Sequence, residues 1–273
     1  MKQETVPVIT HLVLVGIVSL VCQCNSPTIG NKTDRSEIRL ILAGTFLMGS
    51  TDRSNERPIH EVYLDSFYMD KYEVTNKQWK KFVDANPNWQ KTRIDKQYHD
   101  GKYLKHWNGN DYPAEKAQHP VVYVSWYVAS AYAKWVGKRL PTEAEWEKAA
   151  RGPNGYKYSY GDKYDATKAN TSLSIGDTTP VGSYQPNDYG LYDMTGNVIE
   201  WCADWFGHDY YALSPKRNPK GPMKGESRVM RGGSWNYFKD RCTTTFRFFL
   251  VRPIVHRACT DFIGFRCAKD AAL

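Results

Sequence analysis

Three blocks dense in glycine, tryptophan and carboxylate follow one another near the end of the chain: Gly190-Leu-Tyr-Asp-Met-Thr-Gly-Asn-Val-Ile-Glu-Trp201, Arg231-Gly-Gly-Ser-Trp235 and Ile263-Gly-Phe-Arg-Cys267. Glycine admits tight left-handed turns, and the indole rings between them supply large packing surfaces. The rest of the chain follows suit, with 19 Tyr and 9 Trp lifting the aromatic fraction to 14%. Such a chain holds irregular loops together by ring packing rather than by long regular elements.

Residues 1–24 read as a targeting segment. Lys2 precedes an apolar run, Leu12-Val-Leu-Val-Gly-Ile-Val-Ser-Leu-Val21, which ends at Cys22 and Cys24. The run is shorter than the ~20 residues of a spanning helix and suits the apolar region of a secretory signal. A cysteine directly after it resembles a lipoprotein cleavage site, with Cys22 or Cys24 as the lipidated residue. The expectation is an exported protein, periplasmic or anchored to a membrane through an N-terminal lipid. Residues 25–37 are polar without period and read as a flexible tether, leaving 38–270 as one folded domain.

Inside that domain, Ile38 to Ser50 and His60 to Asp70 alternate apolar and polar residues, the period of strands. Thr75 and Gln78 have the spacing of a capping box, which opens a short helix with Trp79, Phe82 and Val83 on one face. Residues 86–119 lack a period and read as a long surface excursion. Ser125 then caps a helix through Val136 that stops at Gly137, and Thr142 with Glu145 caps a second one reaching about Ala150. Turns and short strands follow to the end.

The net charge of +8 comes from 37 basic and 29 acidic residues with no long run of either sign, which argues against a nucleic-acid partner. Four of the six cysteines lie in the mature part: Cys202, Cys242, Cys259 and Cys267. No CxxC occurs among them, so a structural zinc site is not expected. They allow three full pairings, among which a pairing of Cys202 with Cys242 is the expectation.

Beyond the three closing blocks, Ala43-Gly-Thr-Phe-Leu-Met-Gly-Ser50, Tyr72-Glu-Val-Thr75, His119-Pro-Val-Val-Tyr-Val-Ser-Trp126, Gly137-Lys-Arg-Leu-Pro-Thr-Glu-Ala-Glu-Trp-Glu147 and Thr179-Pro-Val-Gly-Ser183 recur in one order. Together they resemble the formylglycine-generating enzyme, or sulfatase-modifying factor, family. The resemblance implies a single compact α+β domain, a variant of the C-type-lectin-like fold with little regular secondary structure. In the enzymes of that family two cysteines after the Gly-Gly-Ser block bind copper, which activates dioxygen to oxidise a substrate cysteine. With Ser234 as anchor, the first of these positions holds Tyr237 and the second holds Cys242. Phe238 and Arg241 also depart from the enzyme pattern. Two soft thiolates suit Cu(I); one thiol with a phenol of pKa ~10 does not, so copper and formylglycine generation are not expected. The three-histidine iron spacing of a second branch of the superfamily is absent among the seven histidines. The positions matching that family's disulfide partners are Ala133 and Ala150.

The resemblance also implies calcium. The family's ligands fall on Asp193, Gly196, Val198 and Glu200, a set of hard oxygens with a turn-forming glycine. A second calcium set begins at Asn170 and Thr171, with Asp177 as a further candidate member. Three functional readings follow. The first is a non-catalytic binding or scaffold module for an exported protein or other ligand. The second is a copper- or other metal-dependent oxidase or oxygenase using Cys242, Tyr237 and a nearby histidine, with Ser234 beside them. The third is a lectin-like module in which Tyr98, Tyr103, Trp107 and Tyr112 stack against a ligand.

Overall fold

The chain's architecture comes from a computed structural model that describes residues 29–30, 33–34, 36–249 and 255–271. The expected signal and its two cysteines lie outside the described residues, as does much of the expected tether. Within the described part the alternating stretch becomes four strands: β2 (Glu37–Ile41), β3 (Gly44–Met48), β4 (His60–Leu64) and β5 (Phe67–Asp70). Strand β2 runs antiparallel to β5, from Ile38 opposite Asp70 to Ile41 opposite Phe67. The short β1 (Ile29–Gly30) flanks β2, and β9 (Ala268–Asp270), close to the end of the chain, flanks β5. Strands β3 and β4 form a separate hairpin.

Local signals place the helices. Thr75 and Gln78 close a capping box at the start of α1 (Asn76–Ala85), Ser125 caps α2 (Trp126–Trp135), and Thr142 with Glu145 closes a second box at α3 (Glu143–Arg151). Each box satisfies amide groups that the first helical turn leaves without partners. The last third carries β6 (Ile199–Trp205), the short α4 (Tyr210–Leu213), β7 (Arg228–Arg231) and β8 (Ile263–Gly264). Strand β6 is central, antiparallel to β7 and parallel to β8. This is the α+β domain of short elements that the sequence implies, with no helix among the described residues long and apolar enough to cross a membrane.

Rings fill the space between elements. Trp79 stacks on Tyr132 at 5.3 Å, and Phe265 meets both edge-on at 5.7 and 5.5 Å. Edge-on and offset contacts of this kind add to plain area burial.

Three expectations need correction. The tether is shorter than expected, because Asp34 is buried: it accepts the backbone amide of Ser36 at 3.0 Å and the Tyr132 hydroxyl at 2.9 Å, while β1 pairs with β2. The 86–119 stretch is not all surface. Ile94, Tyr103, Leu104 and Trp107 pack into the core around Trp79, Tyr103 donating to the Trp89 carbonyl and Trp107 to Asn76. Two of the four aromatics expected to stack on a ligand are thus interior packing. Finally, Cys202, Cys242, Cys259 and Cys267 are all buried and free, with no disulfide joining Cys202 to Cys242. Each fills interior space as a small apolar side chain.

Charge is buried as well. Arg231 is fully enclosed, donating to Glu147 and to the carbonyls of Thr244 and Thr245. Arg247 grips Glu143 through two N–H groups at 2.7 and 2.9 Å. Burial pushes the Glu143 carboxyl up, but Arg247 and Arg231 outweigh it and hold it below the usual range. Asp204 has no such partner. It is buried at the start of α3, where it accepts the Glu143 amide at 2.8 Å. Burial, with the negative charges of Glu143 and Glu145, pushes its pKa up to about 8 against the weaker pull of that amide and of Arg247. A carboxyl raised on folding stabilises the native state fully below its unfolded pKa and loses that contribution as pH climbs through the folded value. The melting temperature is therefore expected to fall from about pH 4 to about pH 8, between the unfolded and folded values, and to level off above. Asp204→Asn, which keeps the acceptor, should flatten that fall; thermal unfolding across this range showing parallel curves for the two proteins would refute the assignment.

Candidate functional site

The Arg231-Gly-Gly-Ser-Trp235 block leaves β7 and turns back over Cys242. Gly233, at φ +71°, is required there: a Cβ on it would come within 2.4 Å of the Cys242 sulfur. The closure buries the thiol completely, with Sγ 3.6 Å from the Tyr237 carbonyl oxygen and 3.9 Å from that of Ser234. Burial raises the thiol to about 12, so it stays protonated at neutral pH. Tyr237 is half-buried against Phe248 and Phe262, at ring distances of 5.4 and 5.6 Å. Its phenol is likewise pushed up to about 12 by burial. The Ser234 hydroxyl donates to Asn236 at 2.7 Å. Phe238 points outward, and Arg241 lies over the Tyr237 ring.

These residues do not fit a copper ion. Cu(I) selects deprotonated soft sulfur, and here one shielded thiol faces carbonyl oxygens beside a neutral phenol. The other three cysteines sit elsewhere in the two cores.

The Gly190–Trp201 block forms the second candidate centre. Asp193, Gly196 and Asn197 all adopt left-handed backbone, at φ +58°, +86° and +57°. At Gly196 a side chain is excluded, since a Cβ would lie 2.3 Å from the Asn170 carbonyl oxygen. The turn thereby brings the two expected calcium sets side by side. Asp193 is buried; its Oδ2 accepts the Gly182 amide at 2.7 Å, and its Oδ1 has no hydrogen-bond partner. Asn170 is also buried with an unpartnered Oδ1. An unsatisfied interior oxygen is costly, and each of these begins one of the two expected sets. A hard cation is what such oxygens fit. Burial, and secondarily the Glu200 charge, push Asp193 up to about 6 against the Gly182 amide and Arg266.

Other members behave differently. Glu200 receives Arg266 Nε at 2.8 and 3.0 Å, Arg266 Nη2 at 2.8 Å and Trp146 Nε1 at 2.9 Å, so its oxygens already serve a fixed internal cation. The amide of Val198 donates to Glu73 at 3.1 Å. Thr171 meets the Tyr164 hydroxyl at 2.8 Å. Asp177 turns its carboxylate outward to Lys116 at 2.6 Å, so only its backbone, which accepts from Asn170, belongs to the centre. Among the described residues no three His, Cys, Asp or Glu side chains converge as a metal cage. A cation here must therefore draw on backbone carbonyls, as the assignment of Gly196 and Val198 requires.

Sequence reasoning missed Glu73. This buried carboxylate holds Asn197 Nδ2 at 2.6 Å as well as the Val198 amide, bracing the turn from 124 residues earlier in the sequence. Burial and the neighbouring Asp193 and Glu200 drive its pKa well above the usual range. The one signal was an acidic residue inside Tyr72-Glu-Val-Thr75, a segment that carried resemblance but no assigned role.

Comparison with known proteins identifies the family and the fold. The sulfatase-modifying factor enzyme 1-like domain matches residues 26–271. The formylglycine-generating enzyme of Streptomyces coelicolor is 35% identical, with 90% of this chain and 93% of that protein covered. The serine/threonine-protein kinase pkn1 of Chlamydia caviae is 42% identical over 86% of this chain, but the chain spans only 38% of that relative's length. Among solved structures, PvdO from Pseudomonas aeruginosa superposes with a TM-score of 0.74 at 26% identity, covering 90% of this chain and 98% of that one. With the match spanning nearly all the described fold, this chain belongs to the sulfatase-modifying factor enzyme 1-like domain family.

Proposed function

We propose that this protein is a non-catalytic member of its family, a binding or scaffold module that keeps the fold of the formylglycine-generating enzymes without their copper chemistry. The observation that carries the reading is the enclosure of Cys242, protonated and without a second thiol, next to Tyr237. Binding modules built on enzyme folds are common because a fold does not fix a function. Calcium, held by Asp193 with backbone carbonyls of the same turn, would serve as a structural support by satisfying an otherwise unpaired oxygen. The kinase activity named for the Chlamydia relatives is not part of this proposal.

The test is direct. Purified protein should not bind Cu(I) tightly and should not convert a cysteine-containing sulfatase peptide to the aldehyde. Tyr237→Cys should restore metal binding more readily than turnover, because Phe238 and Arg241 still depart from the enzyme pattern. Aldehyde formation by the unaltered protein, with copper present and oxygen consumed, would instead establish the oxidase reading and make Cys242 catalytic.

A further inference from the structure

We propose that the cleft between α2 and the segment 217–220 binds an acidic saccharide, a short chain of hexuronate rings, with Trp126 as the stacking platform and Lys134 and Lys220 as the partners of its carboxylates. The cleft measures about 1220 Å³, and none of its lining residues belongs to the turn over Cys242 or to the Asp193 turn. That volume exceeds the ~300–1,000 Å³ of a site for one small molecule, so it suits a ligand of several rings. The first wall follows from helical spacing. Trp126, Ser130 and Lys134 stand at i, i+4 and i+8 of α2, which sets them one above another on a single face. The small Ser130 leaves space between indole and ammonium. The half-buried indole is fixed beforehand: its Nε1 donates to the Cys202 carbonyl at 2.9 Å, and the Arg228 guanidinium lies 3.8 Å over the ring, itself held by Trp205 at 3.5 Å. A platform ordered in advance lowers the entropic cost of binding.

Charge selects the ligand. The carboxylates that line the cleft are already committed, Asp65 to Arg217 and both Glu145 and Asp270 to Arg139. Lys134 on one wall and Lys220 on the other are exposed and, among the described residues, form no ion pair. Two uncommitted cations in a cleft whose acids are spent favour an anion. A peptide would need apolar sockets or anchors, and none of the large apolar side chains exposed among the described residues lines this cleft. What it offers instead is an aromatic ring with the hydroxyl and amide groups of Ser130, Thr142 and Asn218. A sugar ring matches that mixture, its C–H face against the indole and its hydroxyls toward the polar groups.

Isothermal titration calorimetry on the full chain decides the matter. The probes are trimers of galacturonate and of mannuronate, the methyl ester of each, a trimer of glucosamine, and a blocked tetra-aspartate peptide. At least one uronate trimer should bind about tenfold or more tightly than its own methyl ester, which keeps the rings and loses the charge. Its affinity should fall as salt rises, and the oppositely charged glucosamine trimer should not bind. Lys134→Glu combined with Lys220→Glu should weaken uronate binding by at least about tenfold with the melting temperature unchanged, because both side chains are exposed and unpaired. Ser130→Leu, which fills the space beside the indole, should weaken acid and ester alike. Binding by neither uronate, equal binding of acid and ester, undiminished affinity in the double variant, or tetra-aspartate bound as tightly as the uronate would each overturn the inference. None of these outcomes bears on the chemistry at Cys242, which lies outside the cleft.

Discussion

Replacing Arg231 with methionine is expected to lower the unfolding free energy by about 3–5 kcal/mol, the usual loss when one member of a buried ion pair is removed. The guanidinium is fully buried and serves Glu147, Glu143 and two backbone carbonyls at once. Its loss leaves those carbonyls without a donor and strips Glu147 of its closest cation. Glu147 retains only the Gly49 amide at 2.7 Å, Arg151 at 3.3 Å and the Tyr211 hydroxyl at 3.4 Å. Denaturant unfolding measures the loss. The exposed pair of Arg217 with Asp65 is the control, since surface pairs contribute about 0–1 kcal/mol. A change in Arg231→Met no larger than in Arg217→Ala would mean that the remaining donors re-satisfy Glu147, contrary to the network described.

The second large effect concerns calcium. Chelation is expected to lower the melting temperature, since a ligand at about a hundredfold excess over its Kd stabilises the native state by about 2.7 kcal/mol. Asp193→Ala should abolish that sensitivity. The stabilisation should also fade as pH falls through about 6, where Asp193 takes up a proton and loses the charge that attracts the ion. Glu200→Ala is the poorer probe. It removes the partner of buried Arg266 and would be destabilising with or without metal. If chelator leaves the melting curves of the unaltered protein and Asp193→Ala alike at pH 7, the calcium proposal fails.

What could be read in advance was local. The capping boxes at Thr75 and Thr142 appeared as expected because donor and acceptor lie three residues apart and need no knowledge of the fold. The strand alternation of Ile38 to Asp70 was legible for the same reason. Tyr103 and Trp107 were misjudged because a stretch without period gives no sign of which rings turn inward. Asp34 looked like part of a polar tether, and only tertiary structure supplies the Tyr132 hydroxyl that buries it. At the candidate centre, the residue-by-residue transfer pointed to Asp193 and Asn170, two buried residues that each carry an unpartnered Oδ1. It could not foresee that Arg266 would occupy Glu200 or that Glu73 would brace the turn. Both partners lie far away in sequence, and charge pairing at that range leaves no periodic trace.

The placement of β9 beside β5 bears on how this domain comes into being. The first sheet has no complete edge until the last strand arrives, and Glu200 has no counter-charge until Arg266 does. Strands β2 and β5 must therefore wait, with apolar faces uncovered, for residues made long after them. Closing contacts over such separations is slow, and it exposes unpaired edges to neighbouring chains meanwhile. During synthesis, the vulnerable species is the domain that has emerged as far as β8 but still lacks β9.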